Sequence, residues 1–216
     1  MAKEMRKEII ELKEDVLKMA GLASNMLNDA VNALINTDID LAESVKGNKE
    51  KLRKFDYEIE ARALKTLTLY QPMAIDLRRI AAILKIITYL YRIGRYGKDI
   101  ASVVKELTDT FTYSETTGIK HMWEHVSSLI EDAIESFDKA EITKIADFEE
   151  RDDEVDQMRW SIFRETVSHM LEKPTHITHS AHFIMISRYL ERCGDHACKI
   201  AEKVHYMVTG EHVEIS

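Results

Sequence analysis

Two pairs of acidic residues in the second half of the chain have a spacing that could hold a cation. Asp152 and Asp156 lie in the segment EERDDEVD, and Glu191 and Asp195 lie in YLERCGDHACKIAEKV. Residues four apart on a helix share one face, so each pair predicts two carboxylates that project together. Four carboxylates on packed helices would raise each other's pKa unless a cation lay among them. Oxygen ligands of this kind suit Mg²⁺, Ca²⁺, Mn²⁺ or iron.

Three further acidic residues are weaker candidates for the same site: Glu149, Asp153 and Glu202. Glu202 also begins an E-x-x-H segment that ends at His205, the spacing used in di-iron helical bundles. Such bundles need a second E-x-x-H, and the chain has none. A di-metal enzyme is therefore an alternative that rests on an incomplete motif. An acidic pair on a helix is often only a solvated face, so an interaction protein without metal is the other alternative.

The first half of the chain carries a diverged copy of the acidic segments. Residues 89–104 (YLYRIGRYGKDIASVV) and 189–204 (YLERCGDHACKIAEKV) are identical at seven of sixteen positions. The four acidic residues of the second half align with Lys49, Arg53, Tyr91 and Arg95. Ammonium and guanidinium groups only donate hydrogen bonds, so we predict no metal in the first half. Lys49, Arg53 and Arg95 could form a basic face that binds an anion or a partner, or a plain solvated surface.

The elements that position these residues are long helices. Apolar residues recur every three or four positions at 83, 86, 90, 93, 97, 100 and 104, and again one hundred residues later. This period predicts buried helix seams. The predicted helices are 3–36, 38–70, 72–107, 119–140, 142–171 and 174–208, with a Thr-rich boundary at 108–118. The fold class is all-α: six long antiparallel helices in two tandem three-helix bundles, 1–110 and 111–216, related by an internal repeat.

Charge and composition exclude several classes of protein. Residues 1–110 have 19 Lys and Arg against 17 Asp and Glu, whereas residues 111–216 have 11 against 21. An acidic chain of this kind is not expected to bind nucleic acid. Its N-terminus lacks the apolar core of a signal peptide. Cys193 and Cys198 fall on different faces of one predicted helix, so no disulfide is expected between them, and a cytoplasmic location is predicted.

Two segments resemble signatures of the PhoU family of phosphate-uptake regulators. QPMAIDLR (71–78) resembles its QP-x-A-x-DLR segment, and RYLERCGDHACKIAE (188–202) resembles its LERIGDHA-x-NIAE signature. The resemblance spans nearly the whole chain and implies two three-helix bundles, each with E(D)xxxD motifs for multinuclear iron or zinc. By position it implies iron or zinc at Asp152, Asp156, Glu191 and Asp195. The first bundle departs from the E(D)xxxD motif at Lys49, Arg53, Tyr91 and Arg95. The chain also has Asp99 and Lys199 at positions where Asn is common in the family.

The resemblance also implies a role without catalysis. PhoU-like proteins are negative regulators of phosphate uptake and of phosphate-starvation signalling. They resemble cytoplasmic adaptors that contact the phosphate ABC transporter, a sensor histidine kinase or both, and they reach the membrane only through these partners. A homo-oligomer, most simply a dimer, is expected. The sequence contains no P-loop and no dinucleotide-binding glycine pattern, and we find no nucleophile–base arrangement in it, so no enzymatic activity is predicted.

Overall fold

The computed structural model describes residues 2–107 and 113–215, and every regular element in these two ranges is helical. No helix in these ranges combines the length and the apolar character that a membrane crossing needs. Single 3₁₀ turns occur at Thr143–Ile145 and Pro174–His176. The α-helices are α1 (Ala2–Asn36), α2 (Ile39–Gly47), α3 (Lys49–Tyr70), α4 (Ala74–Leu107), α5 (Tyr113–Lys139), α6 (Phe148–Glu172) and α7 (Ile177–Thr209). The all-α prediction is confirmed.

The predicted helix 38–70 is in fact two helices, α2 and α3, so this prediction was wrong. Asp38 caps α2, because its side chain accepts a hydrogen bond of 2.9 Å from the backbone N–H of Leu41. The chain then bends at Asn48, whose N–H donates to the carbonyl of Val45 at 3.1 Å. Gly47 and Asn48 are both poor helix formers, so the helix is interrupted where they adjoin.

The helix that follows the predicted boundary between the halves begins earlier than predicted. Residues 108–112 of the predicted boundary 108–118 lie outside the described residues. Helix α5 begins at Tyr113, so Gly118 lies inside a helix rather than at its edge, and the predicted start at 119 was too late. Gly118 is useful there because a Cβ would lie 3.1 Å from Cγ1 of Ile162. The helix predicted from 142 instead begins at Phe148, after a 3₁₀ turn that buries Ile145.

The predicted seam residues form the centre of the protein. Each apolar side chain of the two stripes is at most 3% exposed, and one hydrophobic cluster joins the two halves. Helix α4 packs against α1 and α7, and α7 packs against α5 and α6 as well. Burying an aliphatic side chain stabilises by about 1.5–3 kcal/mol, so the two stripes contribute substantially to the folding free energy. The stripe residues are Ile83, Ile86, Leu90, Ile93, Ile100 and Val104 on α4, and Phe183, Ile186, Leu190, Cys193, Ala197, Ile200 and Val204 on α7.

Two glycines in α4 allow close helix packing. A Cβ at Gly97 would lie 2.6 Å from the carbonyl oxygen of Met26 and 2.8 Å from the backbone nitrogen of Leu27, both on α1. A Cβ at Gly94 would lie 2.5 Å from Cδ2 of Leu52 on α3. Gly97 therefore meets rigid backbone, whereas Gly94 meets the end of a side chain.

Aromatic rings mark a pseudo-two-fold axis between α4 and α7. Tyr89 stacks on His196 with ring centroids 5.7 Å apart, and Tyr96 stacks on Tyr189 at 5.5 Å. Tyr96 also stacks on His196 at 5.9 Å. The internal repeat relates position 89 to 189 and position 96 to 196. It therefore converts the Tyr89–His196 pair into the Tyr189–Tyr96 pair, and it leaves the Tyr96–His196 pair unchanged. The two helices therefore run antiparallel, and the axis passes by the Tyr96–His196 pair.

Candidate functional site: an acidic face and its basic counterpart

Helices α6 and α7 cross where Gly194 makes room for Asp152. A Cβ at Gly194 would lie 3.4 Å from Oδ1 of Asp152 and 3.6 Å from Cγ1 of Val155. This crossing brings Asp152 of the first acidic pair to Asp195 of the second. We call Asp152, Asp156, Glu191 and Asp195 together the acidic face.

Asp152 is the most perturbed carboxyl group of the acidic face. Its pKa is raised to about 6, first because it is partly buried and then because the carboxylate of Asp195 repels its charge. Asp156 and Asp153 add to this repulsion, while a hydrogen bond from the thiol of Cys198 opposes it. Cys198 is buried and not disulfide-bonded. The acidic face thus holds crowded negative charge near neutral pH.

Glu191 is surrounded by arginines rather than by further carboxylates. Burial and Asp195 raise the pKa of this side chain, which is 9% exposed, and nearby guanidinium groups oppose that shift. Arg159 lies 3.5 Å from Glu191, and Arg188 and Arg192 each lie 3.8 Å away. Arg192 also donates a hydrogen bond of 2.8 Å to Asp195. These guanidinium groups lie where a cation would otherwise balance the two carboxylates.

The weaker candidates lie in different surroundings. Asp153 and Glu149 are exposed on α6, as is Asp156. Glu202 is 6% exposed, and its carboxylate bonds Lys199 at 2.6 Å and the backbone N–H of Ile215 at 3.1 Å. Its oxygens are therefore engaged away from the acidic face. His205, the end of the E-x-x-H segment, contacts the carbonyl of Glu211 at 3.1 Å.

The acidic face suits a hard cation in ligand type but not in arrangement. Within residues 2–107 and 113–215, no three His, Cys, Asp or Glu side chains converge closely enough to hold a metal ion. Asp152 and Asp195 supply two neighbouring carboxylates, whereas Glu191 faces the arginines and Asp156 faces solvent. A third protein ligand would require Asp156 or Glu191 to change rotamer.

The same crossing in the first half carries positive charge. Leu52 lies against Gly94 as Val155 lies against Gly194, so Lys49, Arg53 and Arg95 occupy the positions of the acidic residues. Beside them, a groove of 480 Å³ runs along α4 and includes Arg92, which was not predicted as a site residue. Arg92 could have been found from its spacing of three from Arg95. We call Lys49, Arg53, Arg92 and Arg95 the basic face. The groove is lined by Thr88, Tyr91, Arg92, Arg95, Tyr96 and Asp99.

His196 lies between the two faces and was not predicted as a notable residue. It is 8% exposed, and its Nε2 is buried without a hydrogen-bond partner among the described residues. Burial lowers its pKa to about 4, and the positive charge of Arg92 adds to the shift. His196 is therefore neutral at pH 7. In the sequence, His196 could have been noticed as a polar residue next to the apolar stripe of α7. Tyr96 occupies the corresponding position in the first half.

Comparison with known proteins identifies the family. The family model described as the PhoU domain matches residues 16–104 and again 119–204. The chain is similar to proteins named phosphate-specific transport system accessory protein PhoU homolog. The one from Caulobacter vibrioides is 34% identical over 207 residues, covering 95% of this chain and 90% of the relative. The one from Aquifex aeolicus is 33% identical over 208 residues, covering 96% and 94%.

Solved structures agree with this assignment. The crystal structure of PhoU from Pseudomonas aeruginosa superposes with a TM-score of 0.88 at 31% identity, covering 95% of this chain and 99% of that one. The phosphate transport system regulatory protein PhoU from Streptococcus pneumoniae gives a TM-score of 0.89 at 24% identity, which shows the shared fold, and covers 97% and 99%. With two matched repeats and relatives above 30% identity over almost its full length, the chain belongs to the PhoU family.

Proposed function

We propose that this chain is a negative regulator of phosphate uptake and of phosphate-starvation signalling. In this proposal it acts as an adaptor on the phosphate ABC transporter, on a sensor histidine kinase, or on both. The observation that carries the proposal is the similarity to accessory proteins of the phosphate-specific transport system over 95% of the chain. An accessory role is compatible with a surface built from helix faces, since amphipathic helices commonly bind protein partners.

Exposed apolar side chains at one end of the first half support an adaptor role. The QPMAIDLR segment begins in the connection between α3 and α4 and continues into the start of α4, and Met73 in the connection is 80% exposed. Leu69, Ile75 and Leu77 beside it are 58%, 44% and 45% exposed. Large apolar side chains that stand together in solvent commonly mark a protein-binding surface. We therefore propose this tip, residues 69–77, as a contact surface for the transporter or the kinase.

A deletion strain tests the regulatory proposal. In phosphate-rich medium, loss of the gene is expected to raise both phosphate uptake and the expression of phosphate-starvation genes, and the wild-type gene should restore repression. Met73→Asp should fail to restore repression, because a charge would oppose docking of the tip. Leu171→Asp, at an equally exposed position of 79% outside this segment, is the matched control. Unchanged uptake and gene expression in the deletion strain would contradict the proposed function.

Location follows from the same proposal. We place the protein in the cytoplasm, at the membrane only through its partners. Cell fractionation should find it in the membrane fraction when the transporter and kinase are present, and in the soluble fraction when both genes are deleted. Retention at the membrane without these partners would contradict this placement.

We also propose that the acidic face binds a metal ion, with iron or zinc favoured, and that the first half binds none. Asp152 and Asp195 would be its primary ligands, Asp156 and Glu191 would complete the site after a change of rotamer, and Asp153 and Glu149 would lie nearby. Bound metal would supply the positive charge that the crowded carboxylates lack. The raised pKa of Asp152 supports this proposal, because burial is its first cause and the neighbouring carboxylates of Asp195, Asp156 and Asp153 raise it further.

Metal analysis of purified protein provides the test. Wild-type protein is expected to bind about one or more equivalents of metal, as a carboxylate site of this type would. Asp152→Asn combined with Asp195→Asn should abolish this binding, whereas Asp40→Asn with Glu60→Gln, two exposed acids elsewhere, should not. A metal content below one equivalent that is the same in all three proteins would favour the interaction protein without metal.

A further inference from the structure

A pair of histidines on α5 has the spacing of a zinc-binding motif. His121, Glu124 and His125 form an H-x-x-E-H segment inside this helix. Residues four apart share a helix face, and the ring centroids of the two histidines are 4.8 Å apart. Histidine pairs at this spacing hold zinc on helices, and the H-x-x-E-H order occurs in one class of zinc peptidases. The segment therefore offers two nitrogen ligands on one face.

Glu154 of α6 places a carboxylate beside this histidine pair. It lies two residues from both Asp152 and Asp156, so it points to nearly the opposite side of α6 from the acidic face. Its Oε2 lies 3.5 Å from Nδ1 of His125, which is longer than a normal hydrogen bond. Two ligand atoms of a tetrahedral zinc ion lie about 3.3 Å apart, because each is about 2.0–2.1 Å from the metal. The His125–Glu154 pair thus has nearly the separation of two zinc ligands.

The charge of Glu154 is not balanced by the arginine nearby. Arg151 lines the same groove, but its guanidinium donates hydrogen bonds of 3.0 Å to Asp132 and 2.9 Å to Ser128. Among the residues that the structure describes, Glu154 forms no ion pair except the one with His125. Its carboxylate oxygens are therefore available to a cation.

The histidines and Glu154 line a groove of 450 Å³ between α5 and α6 that is open to solvent. The side chain of His121 is 61% exposed, and its Nδ1 lies 3.9 Å from Oε2 of Glu124. In this arrangement the three candidate ligands do not yet meet, and His121 must rotate to join the other two. Exposed side chains change rotamer within nanoseconds, so this adjustment is easily made.

We propose that His121, His125 and Glu154 bind a zinc ion that joins α5 to α6. Two imidazoles and one carboxylate are the protein ligands of open zinc sites, in which water takes the fourth position. Glu124 is not a ligand in this proposal. It would accept a hydrogen bond from Nδ1–H of His121 and so orient Nε2 towards the ion, as carboxylates commonly do for zinc-bound histidines.

This zinc site is separate from the metal proposed for the acidic face, and it does not depend on the proposed regulatory function. Imidazole ligands favour zinc, whereas sites made only of carboxylates also suit harder cations. Because the groove is open to solvent, we expect the zinc ion to exchange and to be lost on dialysis. Metal that stays with the purified protein therefore reports the acidic face, and added zinc reports the groove.

Calorimetric titration with Zn²⁺ tests the site. The background protein carries Asp152→Asn with Asp195→Asn, so that added zinc does not bind the acidic face. We expect it to bind about one equivalent of zinc with a Kd of about 100 μM or tighter, even in excess Mg²⁺. His121→Gln with His125→Gln should abolish this binding. Glu154→Gln should weaken it at least about tenfold, because a neutral amide is a poorer ligand than a carboxylate.

Two further variants separate ligation from other effects. Glu124→Gln should weaken zinc binding about tenfold without abolishing it, as expected for a residue that only orients a ligand. His176→Gln with His179→Gln is the matched control, because it removes another pair of neighbouring histidines, with ring centroids 6.4 Å apart. That control should bind zinc as the background protein does.

Thermal unfolding gives a second measurement of the same site. Saturating zinc should raise the melting temperature of the background protein by several degrees, because the ion binds only the folded state. This shift should vanish in His121→Gln with His125→Gln. Equal helical circular dichroism of the metal-free proteins shows that the variants fold. If the background protein does not fold, the same variants are compared in the wild-type chain by the difference in zinc bound.

Four results would overturn the proposal. The first is zinc binding weaker than about 100 μM in the background protein. The second is unchanged binding in His121→Gln with His125→Gln, and the third is an equal loss in the control at His176 and His179. The fourth is unchanged affinity in Glu154→Gln, because the ion would then be held by α5 alone and would not join α5 to α6.

Discussion

Gly97→Ala is expected to destabilise the protein by about 3 kcal/mol or more, at the upper end of the range for overpacked sites. The new methyl group would lie 2.6 Å from the carbonyl oxygen of Met26, 2.7 Å from its carbonyl carbon and 2.8 Å from the nitrogen of Leu27. These are backbone atoms of α1, so no side-chain rotation can relieve the clash. Helices α1 and α4 must separate, and this loosens the largest helix contact of the first half.

Chemical and thermal unfolding measure this effect. A loss of 3 kcal/mol should lower the melting temperature by roughly 6–12 °C for a chain of this size. Gly21→Ala is the matched control, because no atom lies within 4 Å of its Cβ position on α1. That variant should gain about 0.5–1 kcal/mol from helix propensity. If Gly97→Ala costs no more than about 1 kcal/mol, the backbone contact between α1 and α4 is not present as described.

The second large effect is a pair of opposite pH dependences at Asp152 and His196. The folded-state pKa of Asp152 is about 6 against an ordinary value of 3.8, so stability is lost as pH rises through this window. The folded-state pKa of His196 is about 4 against 6.5, so stability is lost as pH falls from 6.5 towards 4. Between pH 4 and 6 the contributions of the two groups to stability change in opposite directions with pH. In the wild-type protein these changes therefore partly cancel.

Single substitutions should separate the two contributions. Relative to wild type, Asp152→Asn should gain about 1–2 kcal/mol at pH 7 and nothing at pH 4, after allowance for solvent screening of a partly exposed group. His196→Phe, which keeps a ring in the stack, should gain about 2–3 kcal/mol between pH 7 and pH 4. Urea unfolding at a series of pH values provides the measurement. Differences from wild type that do not vary with pH would show that neither group titrates as described.

Periodic burial was predictable from the sequence because it is encoded locally. The three- and four-residue spacing of Ile83 to Val104, repeated from Phe183 to Val204, marks the two buried stripes without knowledge of their partners. The antiparallel packing of neighbouring helices then places Asp152 near Asp195. The break at Asn48 could not be predicted with equal ease, since several other Asn residues of this chain lie within helices.

Contacts that depend on the crossing of helices were not predictable. Nothing in the sequence distinguishes Gly97, which meets backbone, from Gly94, which meets a side chain. The approach of Arg159 to Glu191 depends on the angle between α6 and α7, and it changes the character of the candidate site. The neutral, buried state of His196 likewise depends on the rings of Tyr89 and Tyr96 on α4, which lie about a hundred residues earlier in the sequence.

The pseudo-two-fold axis at Tyr96 and His196 has an evolutionary consequence. A half-length protein that paired about this axis would carry the same residue on both sides, so any change of acid to base would appear twice. Fusion of two copies into one gene releases each position to mutate alone. Only then can one flank hold Arg95 while the other keeps Asp195. A duplicated chain can therefore display an acidic face and a basic face on one polypeptide.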